Sequence, residues 1–592
     1  MKTTRLRQDR IRVDTPNYQL ELRPDENLGL LTAPGTRVRC MFFPGGAVNT
    51  MTSRDETTSM GKPHAAKRDG ACVITIPQVS TVWESRTATF VCREASIEFF
   101  LTVEGRGEVD RALFLRGYLN GQERGFAGDF DEIVNTAPNF YERRFYHPSE
   151  FFFISNGNNL TNSACGQALA SPCSCMGLHD RRDKRCVSVG LAAQPGAWTW
   201  DAMEWNAPVA IPFTPHPPDN MLCGGFSAAW EGKLRVNGQW QSPRLVLAPA
   251  KSVEDALPAY LRHAYEHGYL PKPVRRKPEA WWREPIYCTW HDQVGMSQAT
   301  GTPAFELCTQ ELTDRWINLL EKNRCKPGIV ILDATWQVHL NTPEPDKKKW
   351  PDFRAWVDRC HERGIRVFVW SAAWAKDGLP LDECILRDGQ PVACDITNPK
   401  YEERFRSMVR RWFSSAPGGL NADGVKMDGL LSVPTGKGLS NHANLWGLEL
   451  QRRYCDILWD EAKKTKPDAC VSTFVANPYL ADSSDIVRIA DMYTSRLTAH
   501  ETMLWRAEVY RQTMPYAVVD TDGQFSHYNA DDYASELAEQ AKVGVPTLYC
   551  AEWVYRQRFF QPARITKMTP ADYREFARVF AAYRKRIRKA QS

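Results

Sequence analysis

Two rhythms of hydrophobic and polar residues divide the chain. Up to about residue 250, short alternating or β-rich runs at 18–22, 72–79, 87–92, 96–103 and 234–240 are separated by clusters of Gly, Pro, Asn and Asp. Alternation with a period of two sets one face of a strand on a core and the other in water, so these runs predict an antiparallel β-sandwich. A helical stretch near 253–267 leads into the segment 271–278, whose prolines cannot continue a helix. From residue 285 the rhythm becomes apolar strand, loop and amphipathic segment, eight times over. The apolar runs are 285–290, 328–332, 365–370, 424–427, 469–474, 486–489, 517–519 and 546–550. Between the second and third, Phe353, Trp356, Val357 and Cys360 fall at i, i+3, i+4 and i+7 with Gly364 as the stop, the spacing of one buried helix face. Strands alternating with helical crossovers predict a parallel sheet, and eight such units close a (β/α)₈ barrel. The expected fold class is α/β: an N-terminal antiparallel β-sandwich over 1–250, a linker with a helix over 251–284, and a barrel over 285–592 whose last helix is 571–588.

Composition narrows the function classes. With 43% hydrophobic and 24% charged residues and a net charge of +5, the chain has the profile of a soluble globular protein, and nothing in it argues for nucleic acid. Its densest basic runs, Lys347-Lys348-Lys349 and Arg275-Arg276-Lys277, fall in a loop and in the linker, where solvation explains them. No stretch approaches the roughly 18 apolar residues of a membrane span, and the polar N-terminus lacks the apolar core of a signal peptide, so the expected location is cytoplasmic. The 17 cysteines are odd in number and contain no Cys-x-x-Cys pair; they read as reduced thiols, not as disulfides or a zinc site, and neither metal nor cofactor is expected. A secreted, disulfide-bonded protein that has lost its leader is the alternative.

The active site of such a barrel is built at the carboxyl ends of its strands, so the polar residues that follow each apolar run are the candidates. They include Trp290, His291 and Asp292 after strand one, Asp333 and Trp336 after two, and Trp370 and Trp374 after three. Lys426 and Asp428 follow on four, Asn477 on five, Arg488 and Asp491 on six, Asp520 and Asp522 on seven, and Glu552 and Trp553 on eight. Indole faces for the apolar side of a sugar and carboxylates for its hydroxyls form a carbohydrate-site composition. Glycoside cleavage needs two carboxyl groups, one to attack the anomeric carbon and one to protonate the leaving oxygen. Asp428 is the candidate nucleophile, because Lys426 two residues earlier points to the same side and favours an ionised carboxylate. Asp491 is the candidate acid/base, with Asp485 as its substitute; helix capping is the competing role for both aspartates. Trp290, Asp333, Trp336, Trp370, Trp374, Lys426, Arg488, Asp522 and Glu552 are the expected substrate contacts.

Ile331-Leu-Asp-Ala-Thr-Trp-Gln337, Trp350-Pro-Asp-Phe353, His361-Glu-Arg-Gly364, Asp395-Ile-Thr-Asn-Pro399 and Gly424-Val-Lys-Met-Asp428 resemble, in order and spacing, the barrel of glycoside hydrolase families 36, 31 and 27. The resemblance covers about residues 285–495 and implies retaining hydrolysis of α-glycosides, Asp428 as nucleophile and Asp491 as acid/base. The chain departs from those families in four places, one being an Arg488-to-Asp491 interval one residue shorter than in family 27. Asp333-Ala334 stands for an Asp-Asp pair that binds sugar hydroxyls in the galactosidases, Leu430 stands for an Asn after the nucleophile, and no C-terminal β-domain is apparent. The reading is a retaining α-glycosidase of a divergent branch with a carbohydrate substrate. The alternatives are an α-transglycosidase of the same chemistry and a non-catalytic carbohydrate-binding protein.

Overall fold

The computed structural model describes the chain except residues 6–8, 34–38, 129, 131, 136–143, 146–151, 156–167, 171–174, 181–184, 207–221, 476, 490–495, 523–532, 557–563 and 592. The β-rich half is an antiparallel system linked by strand pairing. Its spine is the pair Ile97–Phe114 and Leu222–Gln241, which run against each other for most of their length with a register shift between Val109 and Arg111. Ser85–Cys92 pairs with Ile97–Phe114 and with Ala71–Ser80, so the predicted alternating runs are neighbours in one sheet.

Helix Ala256–Glu266 is pinned to this sheet by a buried charge cluster. Glu98 of the spine lies 3.0 Å from Arg93, 3.0 Å from Arg244 and 3.1 Å from His263 of the helix, whose other ring nitrogen is 2.9 Å from the Ser96 hydroxyl. Burial opposes the Glu98 charge, but His263 and the two guanidiniums outweigh it and hold the carboxyl below its usual range. The Pro-rich segment after the helix is docked along the second half of the chain. Val274 N donates to Asp482 at 2.9 Å and Arg276 to the Ala481 carbonyl at 2.8 Å.

The second half is the expected barrel. Its strands, in chain order, are β1 (Ile286–Cys288), β2 (Ile329–Leu332), β3 (Arg366–Ala372), β4 (Gly424–Asp428), β5 (Cys470–Thr473), β6 (Ile486–Arg488), β7 (Val518–Asp520) and β8 (Thr547–Leu548). Successive strands pair in parallel from β1 to β7, and β8 pairs with β1. A parallel bridge between Asp520 and Val545, with Val545 N donating to the Val519 carbonyl at 2.9 Å, closes the ring between β7 and β8. All eight strands coincide with the apolar runs of the sequence. Period-two alternation sends Val425 and Met427 of β4 outward into the core beneath the helices, while Phe368, Ile331 and Cys288 fill the interior. Gly424 is a glycine because a Cβ there would come within 2.5 Å of the Phe368 ring. Among the described residues no helix is long and apolar enough to cross a membrane.

The two halves meet through specific contacts. Glu449, in helix Gly447–Thr465, accepts from the backbone N of Gly196 at 2.9 Å, from that of Trp198 at 3.1 Å and from the Tyr479 hydroxyl at 2.9 Å. Gly447 has φ +61°, and a Cβ on it would press within 2.5 Å of the Trp200 carbonyl, so glycine is required where helix and sheet touch.

Candidate active site

Inward-facing positions at the carboxyl end of β4 are Lys426 and Asp428, two residues apart. Lys426 is buried, and its ammonium lies 2.8 Å from Asp333 Oδ2 at the end of β2, 3.8 Å from Cys288 Sγ of β1 and 3.3 Å from the Tyr549 hydroxyl after β8. Burial disfavours its charge, but the Asp333 carboxylate more than compensates, and the lysine is held protonated above its ordinary pKa. Asp333 also accepts from the Cys288 thiol at 3.1 Å, and its backbone N donates to the Thr289 hydroxyl at 3.0 Å.

Asp428 differs from these neighbours in being open to the barrel mouth, with 40% of its side chain exposed against 6% for Asp333 and 1% for Asp522. Its Oδ1 accepts from Arg488 Nη2 at 3.2 Å and from Gly429 N at 3.0 Å, and its Oδ2 from the Trp370 indole at 3.1 Å. Enclosure by the site raises the carboxyl, but the Arg488 and Lys426 charges, with the Trp370 and Gly429 donors, prevail and hold it below the usual carboxylate range. The group is thus ionised, oriented through both oxygens and accessible, which is what a nucleophilic carboxylate requires.

Arg488 of β6 is 98% buried and forks between Asp428 and Asp522, reaching Asp522 Oδ2 with Nη1 at 3.0 Å. Its guanidinium lies over the Phe474 ring, 4.9 Å from the centroid. Asp522, in a left-handed backbone conformation with φ 56°, also accepts from the Tyr549 hydroxyl. Asp520, at the end of β7, is buried and close to Asp522, and the two causes together push its carboxyl up to about 7.

The fold therefore gathers Asp333, Lys426, Asp428, Arg488, Asp522 and Trp370 of the predicted set into one connected network. Trp290, half-buried, caps the apolar interior of the barrel and lies 5.6 Å from the exposed Phe305 ring, an aromatic surface at the mouth. Three predicted contacts are placed otherwise. Trp336 is fully buried against Phe353 with its indole on the Trp370 carbonyl, and Trp374 packs on Tyr454 with its indole on the Leu430 carbonyl; both are core residues behind the mouth, not sugar platforms. Glu552 turns to Arg315 of helix Gln310–Lys322 on the barrel's outer ring. An apolar run followed by an aromatic or acidic residue cannot distinguish inward from outward when the loop turns immediately.

Asp292 is likewise structural. It is fully buried and accepts from the backbone N of Ala551, of Glu552 at 2.9 Å and of Trp553 at 2.8 Å, and from the Tyr287 hydroxyl at 2.7 Å, stapling the loop after β8 to the start of the helix after β1. Asp491 lies outside the described residues. Asp485 stands at the amino end of β6, bonded to Val471 N at 2.9 Å and 2.7 Å from Lys463, at the opposite end of the barrel from Asp428. Tyr549 and Cys288 escaped the sequence reading because both sit inside apolar runs and look like core.

No protein-family model and no curated protein sequence matches the chain. Solved structures do resemble it. The α-N-acetylgalactosaminidase of Bifidobacterium bifidum, in complex with GalNAc, superposes with a TM-score of 0.60 over 97% of this chain and 93% of that one, at 13% identity. This chain shares that enzyme's fold. Two further structures match at lower scores: a GH36 α-galactosidase of Geobacillus stearothermophilus in complex with 1-deoxygalactonojirimycin, TM-score 0.49 at 11% identity over 98% and 86% of the two chains, and the α-galactosidase of Thermus thermophilus in complex with stachyose, 0.47 at 15% over 83% and 96%. At the level of the fold, the barrel read from the motifs agrees with that of the B. bifidum enzyme.

Proposed function

We propose that the chain is a retaining glycoside hydrolase that removes a terminal α-linked sugar, with Asp428 as nucleophile and Asp491 as acid/base. The observation that carries this reading is the state of Asp428: at the mouth of the barrel, ionised, held by Arg488, Trp370 and Gly429, and open to a ligand, while the charged groups around it are buried and paired. In the first step its free electron pair forms the bond to the anomeric carbon as the glycosidic oxygen departs with a proton from Asp491, three residues beyond Arg488. In the second step water attacks the same anomeric carbon, Asp491 takes the water's proton, and the bond from that carbon to the Asp428 oxygen breaks so that the carboxylate returns to its donors. Two displacements at one carbon retain configuration. Trp290 with Phe305 offers an apolar face at the mouth for the sugar ring.

The B. bifidum enzyme acts on N-acetylgalactosaminides, so aryl α-N-acetylgalactosaminides belong beside α-galactosides and α-glucosides in a substrate panel. Ala334 supplies no carboxylate where the galactosidases have a second Asp, which predicts that an α-galactoside is not the best substrate. The test is that panel with the product anomer read by NMR, followed by Asp428→Asn. Retention, and loss of turnover by several orders of magnitude in a folded variant, are expected. An inverted product, or a fluorosugar adduct on another carboxylate, would overturn the assignment.

A further inference from the structure

The side chains around Asp428 form a ring of contacts that the backbone of β4 closes. Starting from Asp428, the contacts run to Arg488 at 3.2 Å, from Arg488 to Asp522 at 3.0 Å, from Asp522 to the Tyr549 hydroxyl, from that hydroxyl to Lys426 at 3.3 Å, and back along β4 to Asp428. Four strands or the loops after them supply its members. Tyr549 occupies the one joint at which a single atom serves two charged partners: its oxygen accepts from the Lys426 ammonium and its proton goes to Asp522. The ring lies below the mouth, where Arg488, Lys426 and Asp522 are all more than nine-tenths buried.

We propose that Tyr549 and Asp522 are positioning residues for the nucleophile, acting through Arg488, and that Asp522 is not a sugar contact. The proposal rests on the glycosidase reading above. Both Asp522 oxygens are occupied, Oδ1 by Tyr549 and Oδ2 by Arg488, which leaves the carboxylate committed to its neighbours. Phe474 lies against the guanidinium and limits its swing, so Asp522 and Asp428 divide the two Nη groups between them. A donor taken from Asp522 strengthens its hold on Arg488 and weakens the arm that reaches Asp428, because two carboxylates share one cation. The groups facing Asp428 are Arg488 from β6, Lys426 from β4, the Trp370 indole from β3 and the Gly429 amide; of the two cations, Lys426 is itself held by Tyr549.

Tyr549→Phe tests this, since it removes one oxygen and keeps the ring. On the aryl α-glycoside that the wild type hydrolyses best, kcat should fall about tenfold with KM changed less than about twofold, and the acid limb of kcat/KM should move up by about half a pH unit or more. Asp522→Asn, which removes the carboxylate that competes for Arg488, should move the acid limb in the opposite direction, downward, and Asp522→Glu should return it towards the wild-type position. A sugar contact at Asp522 would instead raise KM selectively for substrates that carry one particular hydroxyl. A purely structural Tyr549 would lower thermal stability and leave both the limb and the kcat of folded enzyme at wild-type values; either result overturns the proposal. If the wild type cleaves no glycoside, the glycosidase reading fails on its own, and the ring is read instead by carbodiimide labelling of Asp428 at pH 5, quantified on its peptide by mass spectrometry. Faster labelling in Tyr549→Phe than in wild type upholds the positioning role, and equal rates refute it.

Discussion

Trp370 donates its indole N–H to Asp428 Oδ2 at 3.1 Å, so a residue suggestive of a sugar-stacking platform serves the candidate nucleophile through its polar edge. Trp370→Phe keeps an aromatic ring and removes that donor. Turnover of an aryl α-glycoside should drop roughly tenfold, and the acid limb of kcat/KM should rise, as expected for a carboxylate that loses one stabilising donor. An unchanged limb with a raised KM would mean that the indole acts on the sugar instead.

Lys426 and Asp333 form a buried ion pair at 2.8 Å. Removing one partner of such a pair leaves the other charge without compensation, at a cost of about 3–5 kcal/mol. Lys426→Met should therefore lower thermal stability as well as activity, and the double variant Lys426→Met, Asp333→Leu should recover stability but not activity. Scanning calorimetry beside the glycoside assay separates the two effects.

Asp292 satisfies three backbone amides and the Tyr287 hydroxyl between the first and last barrel units. Asp292→Ala orphans four buried donors, so a loss of about 3–5 kcal/mol is expected, with early exchange of the amides at 551–553 in hydrogen-exchange mass spectrometry. Direct participation of Asp292 in catalysis would show as lost activity in a variant of normal stability.

Burial and the adjacent Asp522 disfavour the charge of Asp520 and push its carboxyl up to about 7 in the native protein. An unfolded aspartate titrates near 3.9, so the native state holds the proton more tightly. The stabilising contribution is complete below about 4 and is lost as pH rises through about 7. Asp520→Asn cannot ionise. Its thermal midpoint relative to wild type should therefore climb between pH 5 and pH 8, and a constant difference across that range would show that Asp520 is ionised throughout.

Glu98 gathers Arg93, Arg244 and His263 where the helix Ala256–Glu266 meets the sheet. Glu98→Gln should cost about 2–4 kcal/mol, less than a fully buried pair because both guanidiniums are partly solvated. Fluorimetric melting at moderate and high salt checks it: a bridge made mainly by exposed charge would lose most of its effect in salt, whereas this one should retain it.

Local pattern determined the architecture. Each barrel strand is a short apolar run between loop signals, and period-two alternation along β4 was enough to set Lys426 and Asp428 on one side and Val425 and Met427 on the other. The motif order that resembles families 36, 31 and 27 belongs to the same level, since those stretches are strand ends and helix starts fixed by near neighbours. Tertiary structure decided what local pattern does not encode: which polar residues meet. Trp370 lies within β3 and Trp374 just beyond it, yet one faces Asp428 and the other Tyr454, because the chain turns between them and Trp374 takes a left-handed conformation, φ 62°. Tyr549 reads as core in the sequence and becomes the joint between Lys426 and Asp522 only when β8 closes beside β1. These hydrogen bonds depend on separations of a few ångströms between residues 27 to 123 positions apart, and only the closed barrel sets those distances.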